Sequence, residues 1–168
     1  VDAPMHVLII EDEAVVALAI EDVLRDCGCS SFDFACSADE AAEAANKRCP
    51  DLITADVRLA PGCGIEAVEA ICADKPIPVV FVTGTPNEVQ ARRSDDAIVH
   101  KPFDPIRLAE AVRRAIPISC ADKIDNLRSI VEAERSGHEA RDGRSDRDQR
   151  PRVRQEQARH VQRRIDQG

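Results

Sequence analysis

Five short aliphatic runs, at residues 6–10, 32–35, 52–55, 77–82 and 97–99, alternate with stretches whose apolar residues recur at helical spacing. Val16, Ile20, Val23 and Leu24 fall at i, i+4, i+7 and i+8, and Gly28 stops that helix. Ser37 opens an alanine-rich helix over 38–47, which Pro50 closes ahead of the third run. Ile65, Val68 and Ile71 mark a helix over 65–72, and residues 87–93 form a short fourth one. Leu108, Ala111, Val112 and Ala115 share one face of a fifth helix over 105–116, with Asp104 as its cap and Pro105 in its first turn. Several of the runs are apolar at nearly every position. That suits strands covered on both faces, hence a parallel sheet joined by crossover helices. The expectation is an α/β domain over residues 1–116, (βα)5 and doubly wound, with strand order 2-1-3-4-5.

Such a sheet binds ligands beyond the carboxyl ends of its strands, where the strand order switches. The residues that follow each run therefore carry the functional argument. The first run is followed by Glu11-Asp12-Glu13, and the third, in the stretch "LITADVRL", ends on Asp56. The fourth ends at Thr83-Gly84 and the fifth at His100-Lys101-Pro102. Taken singly, Asp12 reads as a helix cap, Thr83 as an ordinary strand residue and Lys101 as a solvated charge. Asp56 resists that treatment, because a carboxylate ending a buried run is costly unless something pairs with it. Together these residues place three carboxylates, a hydroxyl and an ammonium on one rim. Clustered carboxylates repel one another, and a hard divalent cation such as Mg2+ relieves the repulsion while keeping sites for phosphate oxygens. A carboxylate beside such an ion can attack phosphorus to give an aspartyl phosphate. A lysine and a hydroxyl suit the oxygens of the transferred group.

The net charge of −8 is unevenly spread: residues 1–116 carry 21 acidic and 11 basic side chains, residues 117–168 carry 10 and 12. The seven cysteines, Cys27, Cys29, Cys36, Cys49, Cys63, Cys72 and Cys120, include no CxxC pair. They read as scattered small hydrophobes in a reducing compartment, not as a zinc site or a disulfide framework. No apolar run approaches the roughly 20 residues of a membrane helix, and the N-terminal residues lack the basic-then-apolar pattern of a secretory signal. The expectation is a cytoplasmic protein with no membrane segment.

With the rim residues in place, the chain resembles the receiver domain of bacterial two-component response regulators. "VLIIEDE", "DLITADVRLAPGCGIEAV", "PVVFVTGT" and "VHKPFD" fall in that family's order and roughly its spacing, across about residues 5–116. The resemblance implies the flavodoxin-like, CheY-like fold. Carried over by position, it makes Asp56 the phosphoacceptor of a phosphorelay. It assigns Mg2+ to Glu11, Asp12, Asp56 and the backbone carbonyl of Arg58. Thr83 would hydrogen-bond the phosphoryl group, Lys101 would pair with it, and the Lys101–Pro102 peptide would be cis. The implied phosphoryl donor is a histidine kinase or a histidine phosphotransfer protein, with output by protein–protein contact or by storing phosphate. "FVTGT" resembles the Phe-Ala-Thr-Gly variety found in some stand-alone receivers. Three residues before the lysine, where many members carry an aromatic switch residue, stands Ile98; ordering of residues 84–96 is the expected substitute.

Two other readings compete with this one. A phosphatase of the haloacid-dehalogenase type also uses an Asp nucleophile with Mg2+, but needs a second Asp two residues on, where this chain has Arg58. A pseudo-receiver, binding partners without phosphorylation, goes with loss of the acceptor or the lysine, and both are present. A signalling protein, not an enzyme, is the expectation. Residues 117–168 read as a charged C-terminal extension, partly helical or disordered, with Ile124, Leu127, Ile130 and Val131 on one stripe. Pairing of that stripe with a second protomer or a kinase is favoured over nucleic-acid binding, since interleaved acids nearly neutralise its arginines.

Overall fold

The computed structural model describes residues 4–116; the tail stripe and Cys120 lie outside the described residues. The elements are β1 (His6–Ile10), α1 (Ala14–Asp26), β2 (Ser31–Ala35), α2 (Ala38–Lys47), β3 (Leu52–Ala55), α3 (Gly64–Ile71), β4 (Val79–Thr83), α4 (Pro86–Arg92), β5 (Ala97–His100) and α5 (Pro105–Ala115). All five strands are parallel, in the order β2-β1-β3-β4-β5. The doubly wound sheet expected from the sequence is the one observed.

Strand alternation sends side chains to two cores. Val7, Ile9, Leu52, Val80, Val82 and Val99 face α1 and α5, where Ile20, Leu24, Leu108 and Val112 close over them. Leu8, Ile10, Ile53, Val79 and Phe81 face the other way, under Ile65 and Val68 of α3 and Val89 of α4. Every residue of β1, β3 and β4 is buried, which is why these runs read as uniformly apolar. Each large side chain so buried stabilises the fold by roughly 1.5–3 kcal/mol relative to exposure. β2, at one edge, is only half-buried.

Helix ends follow local chemistry. At the end of α1 the Cys29 amide donates to Leu24 O and the Gly28 amide to Arg25 O, with Gly28 at φ 91°, the left-handed turn that glycine adopts without strain. Ser37 Oγ accepts from the Glu40 amide at the start of α2, and Asp104 caps α5 through the Ile106 amide at 2.8 Å. Several boundaries shift by a residue or two from expectation, and two of the shifts have a plain cause. The fourth strand begins at Val79, not Ile77, because Pro78 has no amide to donate; its carbonyl still accepts from the Ile53 amide. The fourth helix begins at Pro86, whose missing amide is no loss at a first turn.

The six described cysteines are all free. Cys27 and Cys29 are core residues whose thiols burial pushes up to about 11 and about 12, whereas Cys49 is exposed and 3.2 Å from Lys75 Nζ. The small-hydrophobe reading therefore fits the first two and fails for Cys49.

Candidate functional site

The strand order reverses between β1 and β3: from β1 the chain turns to β2 on one side, from β3 to β4 on the other. Ile10 and Ala55 are register partners, so Glu11 and Asp56, the next residue on each strand, emerge side by side at that switch point. Backbone bonds fix both positions. The Glu11 amide donates to Ala35 O and the Asp56 amide to Ile10 O, each at 2.9 Å. Lys101 arrives from β5, its amide held by Thr83 O at 3.0 Å.

The side chains converge. Lys101 Nζ lies 2.7 Å from Asp56 Oδ2 and 2.7 Å from Glu11 Oε2. Glu11, Asp12 and Asp56 each offer one carboxylate oxygen within 4.8 Å of the others. Glu11 and Asp56 are buried and Asp12 half-buried. Burial pushes the Glu11 carboxyl up to about 7, the Lys101 ammonium opposing the rise and the neighbouring Asp56 adding to it. Burial also works against the Lys101 charge, yet hydrogen bonds and attraction from Asp56 and Glu11 outweigh it and hold the ammonium above its ordinary value. One ammonium thus bridges two carboxylates with a third beside them, a pocket short of positive charge. An all-oxygen, anion-rich donor set of this kind fits a hard divalent cation such as Mg2+.

Asp12 is not the helix cap that it resembles in isolation. Glu13 holds the N-cap position of α1 without a side-chain bond, while Asp12 Oδ2 accepts from the Ala60 amide, 48 residues on, at 3.0 Å. Its carboxylate is turned toward the loop after β3. Asp56 Oδ1 faces the Arg58 amide at 3.4 Å. The Arg58 side chain leaves the pocket for Glu88 Oε1 on α4, 2.9 Å away.

Thr83 is fully buried at the end of β4, but its hydroxyl is engaged by the Thr85 amide at 3.1 Å, not by Asp56. Ile98 is half-buried on β5 beside Phe81. The Lys101–Pro102 peptide is cis, as the resemblance implies, and so is Ala60–Pro61, which the residues did not announce.

One residue of the site escaped sequence reasoning. A Cβ on Gly64 would lie 1.7 Å from the Asp56 carbonyl oxygen, so α3 begins in contact with the backbone of Asp56. Its signal was there, in the second glycine of "PGCG", but that stretch reads as a turn.

Comparison with known proteins adds a family to this geometry. The family model described as response regulator receiver domain matches residues 7–113. The phyllosphere-induced regulator PhyR of Methylorubrum extorquens is 31% identical over 119 residues, 68% of this chain and 45% of that protein. The transcriptional regulatory protein PdtaR of Mycobacterium tuberculosis is 32% identical over 117 residues, 67% of this chain and 57% of that one. The chain thus spans about half the length of these curated relatives. Among solved structures, the receiver domain of PhyR from Erythrobacter litoralis superposes with a TM-score of 0.62 at 33% identity, covering 67% of this chain and 90% of that one. No helix of the described residues is long and apolar enough to cross a membrane.

Proposed function

The chain belongs to the response regulator receiver family, and from that premise we propose that it accepts a phosphoryl group on Asp56 from a phosphohistidine of a histidine kinase or phosphotransfer protein. The observation that carries this reading is the convergence of Glu11, Asp12 and Asp56 within 4.8 Å, with Lys101 bridging two of them at the switch point of the sheet. A carboxylate oxygen of Asp56 attacks phosphorus, the P–N bond to the donor imidazole breaks, and an aspartyl phosphate remains. In such a transfer most of the catalysis is positioning and charge stabilisation. Asp56 is positioned by its place in the ladder between β1 and β3. Lys101, already within 2.7 Å of the acceptor carboxylate, stays beside the new phosphoryl oxygens. Mg2+, when bound, would neutralise charge on the transferring group, held by Glu11, Asp12, Asp56 and the Arg58 carbonyl. Thr83 would exchange its Thr85 partner for a phosphoryl oxygen.

The retained acceptor and lysine favour a live receiver over a pseudo-receiver. We assign residues 1–116 to that receiver and 117–168 to a separate extension. Two large hydrophobic side chains are exposed among the described residues, Val15 at the start of α1 and Ile106 at the start of α5. Each follows a strand-end segment of the pocket, so a donor protein leaning over Asp56 would meet them.

The test is labelling by acetyl phosphate in the full chain, resolved on a phosphate-affinity gel. A shifted band is expected with Mg2+, lost with EDTA and absent in Asp56→Asn. A folded wild type that never shifts, with acetyl phosphate or with a phosphorylated donor, would overturn the reading.

A further inference from the structure

Ile98 deprives the chain of the aromatic side chain that many receivers use to pass a signal from pocket to surface. Something else has to connect Asp56 to α4, and one connection is already made. Arg58 stands two residues beyond the acceptor, its amide 3.4 Å from Asp56 Oδ1, while its guanidinium reaches Glu88 Oε1 at 2.9 Å in the first turn of α4. The far end of the same helix is held separately, by Arg92 on Glu69 at 2.5 Å and by the fully buried Val89. The first turn is held by the Glu88 side chain on Arg58, by the Glu88 amide on Thr85 O at 3.2 Å, and by the Thr83–Thr85 bond in the loop before it.

We propose that Arg58 exchanges partners on phosphorylation: its guanidinium leaves Glu88 for the phosphoryl group on Asp56, releasing the first turn of α4, the reverse of the ordering of residues 84–96 expected from the sequence. The inference rests on the phosphoacceptor reading above and names the switch built onto it. Charge and exposure decide the direction. Arg58 and Glu88 are 74% and 47% exposed, and an ion pair so open to water is weak. A phosphoryl group set in a half-closed pocket carries more charge and three acceptor oxygens, which a planar guanidinium can grip with two parallel bonds. The Arg58 backbone already lies beside Asp56, its amide 3.4 Å from Oδ1, so the move is a rotamer change and not a loop rearrangement. Val89 and Arg92 keep the helix attached while Thr85, Pro86 and Glu88 come free.

The experiment measures binding of beryllium trifluoride, a phosphoryl mimic, with Mg2+ to the full chain and to Arg58→Ala and Glu88→Gln. Circular dichroism checks each fold. The Arg58 Nε–Hε resonance and amide exchange over residues 84–92 report the switch itself. Glu88→Gln removes the competing partner and should tighten binding roughly threefold, while Arg58→Ala removes the moving one and should weaken it roughly tenfold. In wild type the Arg58 resonance should shift on binding, and exchange in the first turn of α4 should quicken. In Glu88→Gln that exchange should be quick already. Opposite signs are the signature, because a mere structural tether is broken equally by losing either end. Equal effects, or an unmoved Arg58 resonance in a wild type that binds the mimic, would overturn the partner exchange and leave the phosphoacceptor standing. A wild type that binds no mimic would overturn both.

Discussion

Gly64→Ala is expected to destabilise the protein by about 3 kcal/mol or more, the class of loss that follows when a backbone contact has no room to relax. The added carbon would sit 1.7 Å from the Asp56 carbonyl oxygen and 2.9 Å from its carbon. Neither side can withdraw easily. The Gly64 amide donates to Val57 O, and the Asp56 amide is tied into the ladder at Ile10 O, each at 2.9 Å. The backbone that must yield is that of Asp56, the proposed acceptor, so acetyl phosphate labelling should fall along with stability. Gly84 is the internal control: a Cβ there meets nothing within 4 Å, and Gly84→Ala should stay within about 0.5–1 kcal/mol of wild type. Urea unfolding of the three proteins checks this. A Gly64→Ala midpoint equal to that of wild type would mean that the α3 start can move off β3.

The second large effect is a pH dependence set by Glu11. Its carboxyl is pushed up to about 7 in the folded protein against 4.5 when unfolded, so the folded state binds the proton more tightly. Stability from this group is then complete below pH 4.5 and is lost as pH rises to about 7. Each tenfold gain in proton affinity is worth about 1.36 kcal/mol, so at pH 8 without Mg2+ the buried carboxylate costs at most about 3 kcal/mol. Glu11→Gln should recover most of that at pH 8 and nothing at pH 4.5. Lys101→Met should do the reverse. Without the ammonium, two buried carboxylates stand unopposed, and a loss of about 3 kcal/mol is expected at pH 8. The loss should shrink toward pH 5 as Glu11 takes up its proton. Denaturant titrations in EDTA at several pH values test both; parallel curves for wild type and Glu11→Gln would show that the carboxyl is solvated after all.

Most of the fold was legible because two periodicities carry it. Uniform burial of β1, β3 and β4 wrote itself as unbroken aliphatic runs, and the one-sided faces of α1 and α5 as residues three and four apart. The site was legible in outline for a related reason: a polar residue directly after a buried strand has few places to go, and the sheet order then brings Glu11, Asp56 and Lys101 together. What stayed hidden depends on distances that no local pattern encodes. Asp12 looks like a helix cap until the loop carrying Ala60 is folded beside it. Gly64 looks like turn chemistry until the start of α3 is laid on Asp56, and the partner of Arg58 is 30 residues away on a helix too short to announce its face.

Glu11, Asp56 and Lys101 are contributed by three strands that are far apart in the chain, and this has a kinetic consequence. While β1, β3 and β5 are apart, their charges are hydrated and indifferent to one another. Glu11 meets Asp56 as soon as β1 pairs with β3, and the Lys101 ammonium that relieves their crowding arrives only when β5 docks on β4. Interactions absent from the transition state act on the unfolding rate and leave the folding rate almost untouched. Where β5 docks after the barrier, the Lys101 bridge therefore lengthens the lifetime of the finished protein and leaves its rate of assembly unchanged. A ligand or covalent group that neutralises the pocket would act chiefly as a brake on unfolding.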